Sequence, residues 1–404
     1  MLKNAKIITL FFTMVVVMIG FGIIIPIMPF YIEHFGAGGT ELGIMMASFS
    51  IAQFVSSPFW GSLSDRYGRK KIMIIGVLGN AASMVMTGLA PNLLMLFASR
   101  AFAGFLSSAT LPTAMAYISD TTSEDDRGGG MGLMGAAMGV GMVLGPGLGG
   151  LVAGDNLSTP FFLAAGMSAI AFLMVLFFLP ESLPEEMRIN QPGRRFNGPQ
   201  LGVLWKALFG PLGFLMFLAF LVNFALANFE GIFGLYTDER FGYGPQQVGT
   251  VLMVVGIVSS IVQGIFTGPA TRKFGEAATI KISLAASALG FVLMAMVEQD
   301  LLILLTVGFF VFSNAMLRPS IMSLTSKLSS GGQGMALGLN NSFQSLGRVA
   351  GPLFAGMLFD INILLPYLSA SIIMLGTFVY ALYAMSPVRM KAKLVALHGR
   401  TPGD

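Results

Sequence analysis

Twelve runs of predominantly apolar residues divide this chain, at about residues 7–31, 42–61, 72–90, 93–118, 131–153, 159–179, 210–236, 245–268, 278–297, 301–325, 334–358 and 364–386. A bilayer core about 30 Å thick needs roughly 20 apolar residues in helix, so each run is long enough to cross one. Charge is scarce in proportion: 10% of the 404 residues are charged and 55% hydrophobic, where a soluble domain carries about 25% charged residues. The pattern predicts an all-α membrane protein of twelve transmembrane helices. The first run, behind Lys3 and Lys6, is too long for a signal peptide and has no small-residue cleavage site after it, so it reads as a retained helix.

The same composition removes whole classes of chemistry. There is no cysteine and there are only two histidines, His34 and His398. Disulfide frameworks, cysteine zinc sites, iron–sulfur clusters, thiol nucleophiles and bis-histidine haem are excluded. The run Gly130-Met-Gly132-Leu-Met-Gly135 has dinucleotide-loop spacing but no strand before it, and that reading fails. No Gly-Lys-Ser/Thr occurs, so an ATP-driven pump would need a separate subunit. The expectation is a protein that is not an enzyme, with no catalytic residues, no metal and no cofactor.

Lysine and arginine give the orientation. With the N-terminus inside, nineteen fall in segments on that side, Arg240 alone falls outside, and Arg100, Arg318 and Arg348 fall within runs. So strong a bias predicts a multi-pass protein of the cell (cytoplasmic or inner) membrane with both termini cytoplasmic. The net charge of +4 then reflects orientation and contact with anionic headgroups rather than nucleic acid.

A hydrophilic stretch from Pro180 to about Lys206 separates two sets of six runs. The expected domains are a six-helix bundle over 1–180, a cytoplasmic central loop over 181–206, a second bundle over 207–387 and a cytoplasmic tail over 388–404. The halves match. Gly61, Asp65, Arg66 and Gly68 reappear 207 residues later as Gly268, Arg272, Lys273 and Gly275; Pro112 falls on Pro319 at the same offset, and Gly145-Pro146 on Gly351-Pro352 at 206. A duplicated six-helix unit of this kind places a substrate path between the halves, near the midplane.

The loop between runs 2 and 3, Gly61-Ser-Leu-Ser-Asp65-Arg66-Tyr-Gly68-Arg69-Lys70-Lys71, has the parts of a latch. Gly61 would allow close helix approach and Gly68 a tight turn. Asp65 could take a basic partner or the positive end of a helix. The second copy has Arg272 in place of Asp65, so the acidic latch is expected in the first half only. Run 5 carries Gly132, Gly141, Gly145-Pro146 and Gly149-Gly150. Glycines three and four apart make a narrow face for close packing, and Pro146 would bend the helix. Together these motifs resemble the signature loop of the major facilitator superfamily and the antiporter motif of its drug-exporting branch. The resemblance covers nearly the whole chain. It implies the major facilitator fold, two six-helix halves related by a pseudo-two-fold axis, and gating roles for Gly61, Asp65, Arg66, Gly68, Arg69, Gly141, Gly145, Pro146, Gly149, Gly150 and Arg348.

An ionisable group within a span costs at least about 2.5–3.5 kcal/mol on insertion scales and so demands a reason. Arg100, Glu230, Arg318 and Arg348 are the four. With run 7 ending at 236, Glu230 lies about six residues, roughly 9 Å, below the outer end; the alternative to a buried role is that it ends a shorter helix and reaches water. The stretches around Phe229-Glu230, Arg318-Pro319 and Asn340-x-x-Phe343 are similar to quinolone- and multidrug-exporting antiporters. That similarity implies proton coupling through Glu230 with Arg100 and Arg318, and a drug cavity lined by Gln53, Arg100, Glu230, Arg318, Asn340 and Phe343. In this sequence Asn314 and Ala315 stand where some relatives carry a second acidic residue, which leaves the proton number open. The expected function is proton-coupled efflux of hydrophobic, often cationic or zwitterionic drugs by alternating access. The energy would come from the proton gradient and the partners would be drug-like small molecules, protons and the bilayer, the chain working as a monomer. A nutrient or metabolite symporter of the same fold, or a non-transporting membrane receptor or scaffold, are the alternatives.

Overall fold

The computed structural model describes residues 2–123, 126–154, 156–188, 201–210, 212–329 and 333–386. Residues 189–200 of the expected central loop and the expected tail at 388–404 lie outside these. The helices in chain order are α1 (Leu2–Glu33), α2 (Gly39–Tyr67), α3 (Arg69–Gly88), α4 (Leu93–Ser107), α5 (Thr110–Thr121), α6 (Arg127–Ala153), α7 (Thr159–Phe178) and α8 (Leu201–Leu208). They continue with α9 (Gly213–Phe241), α10 (Pro245–Ile261), α11 (Thr267–Phe274), α12 (Glu276–Met296), α13 (Asp300–Ala315), α14 (Leu317–Leu328), α15 (Gln333–Phe359) and α16 (Leu365–Ala384). Among the described residues eleven spans are long and apolar enough to cross a membrane. The remaining expected span is α15, 27 residues long, whose apolar average is diluted by Asn340, Asn341, Gln344 and Arg348.

Two spans are broken at equivalent places. Pro112 and Pro319 lack the N–H that would bond the carbonyl four residues back, at Ser108 and Ala315. The helix interrupts there, between α4 and α5 and between α13 and α14. Each proline then sits in the first turn of the following segment, where its missing donor is not needed. A third irregularity joins α10 to α11: a wider turn at Val262–Phe266, with the Thr267 hydroxyl donating to the Val262 carbonyl at 2.9 Å.

The chain forms two compact units, one of Met1–Pro199 with Thr237–Gly256, the other of Gln200–Tyr236 with Ile257–Asp404. The last turn of α9 and the first part of α10, both within the expected 207–387 bundle, thus group with the first unit. The glycines of α6 give the physical reason, because they serve two neighbours. On one face, a Cβ at Gly145 would meet Gly22 Cα at 2.8 Å and the Ile19 carbonyl at 2.9 Å, and one at Gly149 the Ile23 carbonyl at 2.9 Å. Gly141 continues the row against Val15 and Met18. This seam of i, i+4 and i+8 positions holds α6 on α1 backbone to backbone. On the other face a Cβ at Gly150 would lie 2.5 Å from the Pro245 carbonyl, and one at Gly256 would lie 3.0 Å from Val143 Cα. That second seam draws α10 onto α6.

The second unit repeats the first seam. A Cβ at Gly351 would meet the Phe224 carbonyl at 2.6 Å and the Asn228 amide nitrogen at 3.0 Å, and one at Gly347 the Phe224 nitrogen at 2.8 Å. These are the positions 206 residues after Gly145 and Gly141, and they hold α15 on α9. Gly61 does not behave as expected: no atom lies within 4 Å of where its Cβ would point. Its side of α2 faces open space within its unit, so among the described residues it makes no close helix approach. Gly132 is likewise open.

Candidate transport site

The turn between α2 and α3 is made by Gly68 at φ +100°, and its counterpart between α11 and α12 by Gly275 at φ +79°. Both lie in the region that side chains with a Cβ rarely adopt. Beside Gly68 a network of charges forms. Arg69 opens α3 and is almost fully buried. Its Nη1 donates to Asp65 Oδ1 at 2.5 Å and Ser64 Oγ at 2.7 Å, while its Nε donates to Asp120 Oδ2, at the end of α5, at 2.9 Å. Of the two partners open to Asp65 from the sequence, it takes the basic one.

The N-terminus of α3 is instead occupied by a residue that sequence reasoning missed. Glu181, just past α7, accepts from Arg69 N at 2.8 Å and Lys70 N at 3.2 Å through its two carboxylate oxygens. It also accepts from Ser182 N and Leu183 N. A carboxylate in this place satisfies orphan N–H groups and the positive end of the helix together. The Lys70 ammonium donates to the Leu176 carbonyl at the end of α7 at 2.7 Å. Arg66 stays exposed, over the ring of Tyr67 at 5.5 Å.

Within the first unit, Arg100 sits inside α4 with 3% of its surface exposed. Its Nε and Nη1 have no hydrogen-bond partner. The guanidinium lies over the Phe49 ring, 4.5 Å from its centroid, and that quadrupole is the compensation for a cation in an apolar place. Gly104, one turn on, lets α4 press against the backbone of Phe49. Gln53 follows Phe49 by one turn on the same face of α2 and is half-buried. Phe49 carried no signal in the sequence, being one of 35 phenylalanines.

Within the second unit the α9–α15 seam brings Glu230 and Arg348 within electrostatic range of one another. Arg348 acts in turn on Arg318, in the first turn of α14. The helix carrying Glu230 does not end near it: α9 runs on to Phe241, eleven residues or roughly 16 Å of helix further. The reading in which Glu230 terminates a shorter helix therefore fails. Glu230 is half-buried, and Arg318 and Arg348 keep accessible side-chain area. Asn340 is fully buried and accepts from Gln344 Nε2 at 2.5 Å through its Oδ1. Its Nδ2 is unpartnered, as are Asn314 Nδ2 and both amide atoms of Asn228. Phe343 is buried. Among the described residues no group of three metal-ligating side chains is found.

Residues 10–352 and 215–400 match the family model of the Major Facilitator Superfamily. The chain belongs to this superfamily. Its members are membrane transporters rather than enzymes, and this chain is a multi-pass transporter of that kind. It is 33% identical over 392 residues to Multidrug resistance protein 1 of Bacillus subtilis, covering 96% of this chain and 99% of that one. It is 30% identical over 392 residues to Quinolone resistance protein NorA of Staphylococcus aureus, with the same coverage. Among solved structures it resembles the nucleoside transporter NupG with a TM-score of 0.74 at 19% identity, covering 94% of this chain and 98% of that one. That likeness carries the major facilitator fold alone.

Proposed function

We propose that this protein exports hydrophobic, often cationic or zwitterionic drugs across the cytoplasmic membrane, in exchange for protons, by alternating access. The observation that carries the reading is Glu230: an acid deep within α9, in range of Arg348, in a chain a third identical to a multidrug resistance protein along its length. Both termini lie in the cytoplasm on the strength of the lysine and arginine distribution, and the chain works as a monomer.

An ionised Glu230 attracts the charge of Arg348 and of a cationic substrate. When a proton arrives from outside, both attractions weaken together, and cargo is released outward. Release of the proton to the cytoplasm restores the charge. The polar side chains at Gln53, Arg100, Arg318 and Asn340 orient the substrate, and Phe343 and the neighbouring aromatic and methionine side chains supply a deformable apolar wall. Glu230→Gln fixes the uncharged form. In proteoliposomes with an imposed pH gradient it should abolish gradient-driven efflux of a cationic fluorescent dye while leaving slow, gradient-independent exchange. Undiminished pH-driven efflux by Glu230→Gln overturns the coupling role, and a wild-type protein that accumulates nutrient analogues but moves no dye overturns the drug reading.

A further inference from the structure

The two units carry the same ion pair with its signs exchanged. In the first, Arg69 opens α3 immediately after the positive-φ glycine, and Asp120 is the next-to-last residue of α5. In the second, Glu276 opens α12 immediately after the positive-φ glycine, and Lys327 is the next-to-last residue of α14. Position 276 is 207 after 69, and 327 is 207 after 120, the offset of the repeat itself. Arg69 Nε meets Asp120 Oδ2 at 2.9 Å. Lys327 Nζ meets Glu276 Oε1 directly, and Ser323 Oγ donates to the same oxygen at 3.0 Å. The expectation that the second copy lacks an acidic latch followed from Arg272 alone, and it overlooked this pair.

The exchange of signs is consistent with the rest of each unit. A helix N-terminus favours negative charge and a C-terminus positive charge. Glu276 at the start of α12 and Lys327 at the end of α14 both obey that rule. Arg69 and Asp120 both break it, and the first unit has what the second does not need: the Glu181 carboxylate on the N-terminal amides of α3. One job is done by two charge arrangements, of which only the first carries a compensating carboxylate.

We infer that Glu276 and Lys327 are a positioning pair for transport, the second unit's equivalent of Arg69 and Asp120. What the pair positions follows from the broken spans. Lys327 ties the far end of α14 to the start of α12 and so restrains the segment beyond the break at Met316. That segment carries Arg318 in its first turn. In the first unit Asp120 anchors α5 in the same way, beyond the break that follows α4 and its Arg100. Each pair thus restrains the segment that follows a helix break; Arg318 lies on that segment in the second unit, and Arg100 lies about two turns before the break in the first.

The test uses Glu276→Lys, Lys327→Glu and the double swap, in reconstituted full-length protein. The two single changes should each lower the kcat of dye efflux about tenfold or more with KM within about twofold, and the swap should recover to within about threefold of wild type. The swap is not expected to recover fully, since it opposes both helix ends without a counterpart of Glu181. A second readout does not depend on the drug reading. The chain has no cysteine, so a single cysteine at Ala270, half-buried in α11, can be labelled with a maleimide in the unmodified background. Its labelling rate should change about fivefold in either single variant and return in the swap. Singles with unchanged labelling and kcat, or a swap as impaired as the singles in both readouts, overturn the inference. If a single variant does not fold, Lys327→Gln takes its place, with the same expected change in labelling and the same refuting result. Dye efflux absent from wild type while the labelling pattern holds would instead count against the drug reading and leave the latch supported.

Discussion

The glycine seam between α1 and α6 makes a quantitative prediction. A methyl group at Gly145 would lie 2.8 Å from Gly22 Cα and 2.9 Å from the Ile19 carbonyl, where ordinary contacts begin at 3.4 Å. Both obstacles are backbone, so no rotamer change relieves them, and the helices must part by about half an ångström or more along a row of three glycines. Overpacking of this kind costs typically about 1–3 kcal/mol. At tenfold per 1.4 kcal/mol, Gly145→Ala should lower the folded-to-unfolded ratio by a factor between about five and 150. Gly132 and Gly135 lie on the same helix with nothing within 4 Å of their Cβ positions. Alanine there should be neutral or stabilising by up to about 1 kcal/mol, through helix propensity alone. Gly351→Ala should fail as Gly145→Ala does, because its Cβ would meet the Phe224 carbonyl at 2.6 Å. Thermal melting of purified protein in detergent, followed by the fluorescence of Trp60 and Trp205, ranks all four. Gly145→Ala melting at or above Gly132→Ala would refute the reasoning that the seam is a backbone contact.

The turn glycines should separate strain from crowding. Gly68→Ala and Gly275→Ala both force a Cβ into positive φ, worth about 1–2 kcal/mol, but only the Gly68 methyl would also displace the Glu181 carboxylate. The first should therefore lower the melting temperature clearly more than the second, and Glu181→Ala should narrow the gap. For Arg100, the ring of Phe49 supplies about 0.5–2 kcal/mol. Phe49→Leu should weaken efflux of a cationic dye several-fold, Phe49→Tyr should retain it, and initial-rate measurements at varied dye concentration decide between them.

Legibility followed the range of the interactions. The spans were visible because about twenty apolar residues in a row have few other fates. The breaks at Pro112 and Pro319 were not anticipated: the prolines served only as landmarks of the repeat, and the runs around them read as unbroken spans. The length of α9 was underestimated, since its last turn runs through Asp238, Glu239 and Arg240, which end the apolar run but not the helix. Glycine spacing identified the α6 face that meets α1, but it gave no sign that the opposite face meets α10. The ion pairs were the least visible part. Asp120 lies 51 residues from Arg69 and Glu181 lies 112, and a single sequence does not say which acid meets which base. The repeat offset was a usable signal for Glu276 and Lys327, since applying it to Arg69 and Asp120 leads straight to them.

The seams also bear on how such a protein can change over time. Contacts made by backbone alone have no side chain to vary, so Gly141, Gly145, Gly347 and Gly351 offer selection almost no neutral steps. Residues such as Phe49, Gln53 and Phe343 can be exchanged for neighbours in size and polarity at modest cost. Variants with an altered range of cargo should therefore accumulate at the second kind of position while the first stays fixed, giving the molecule a heritable frame and an evolvable lining.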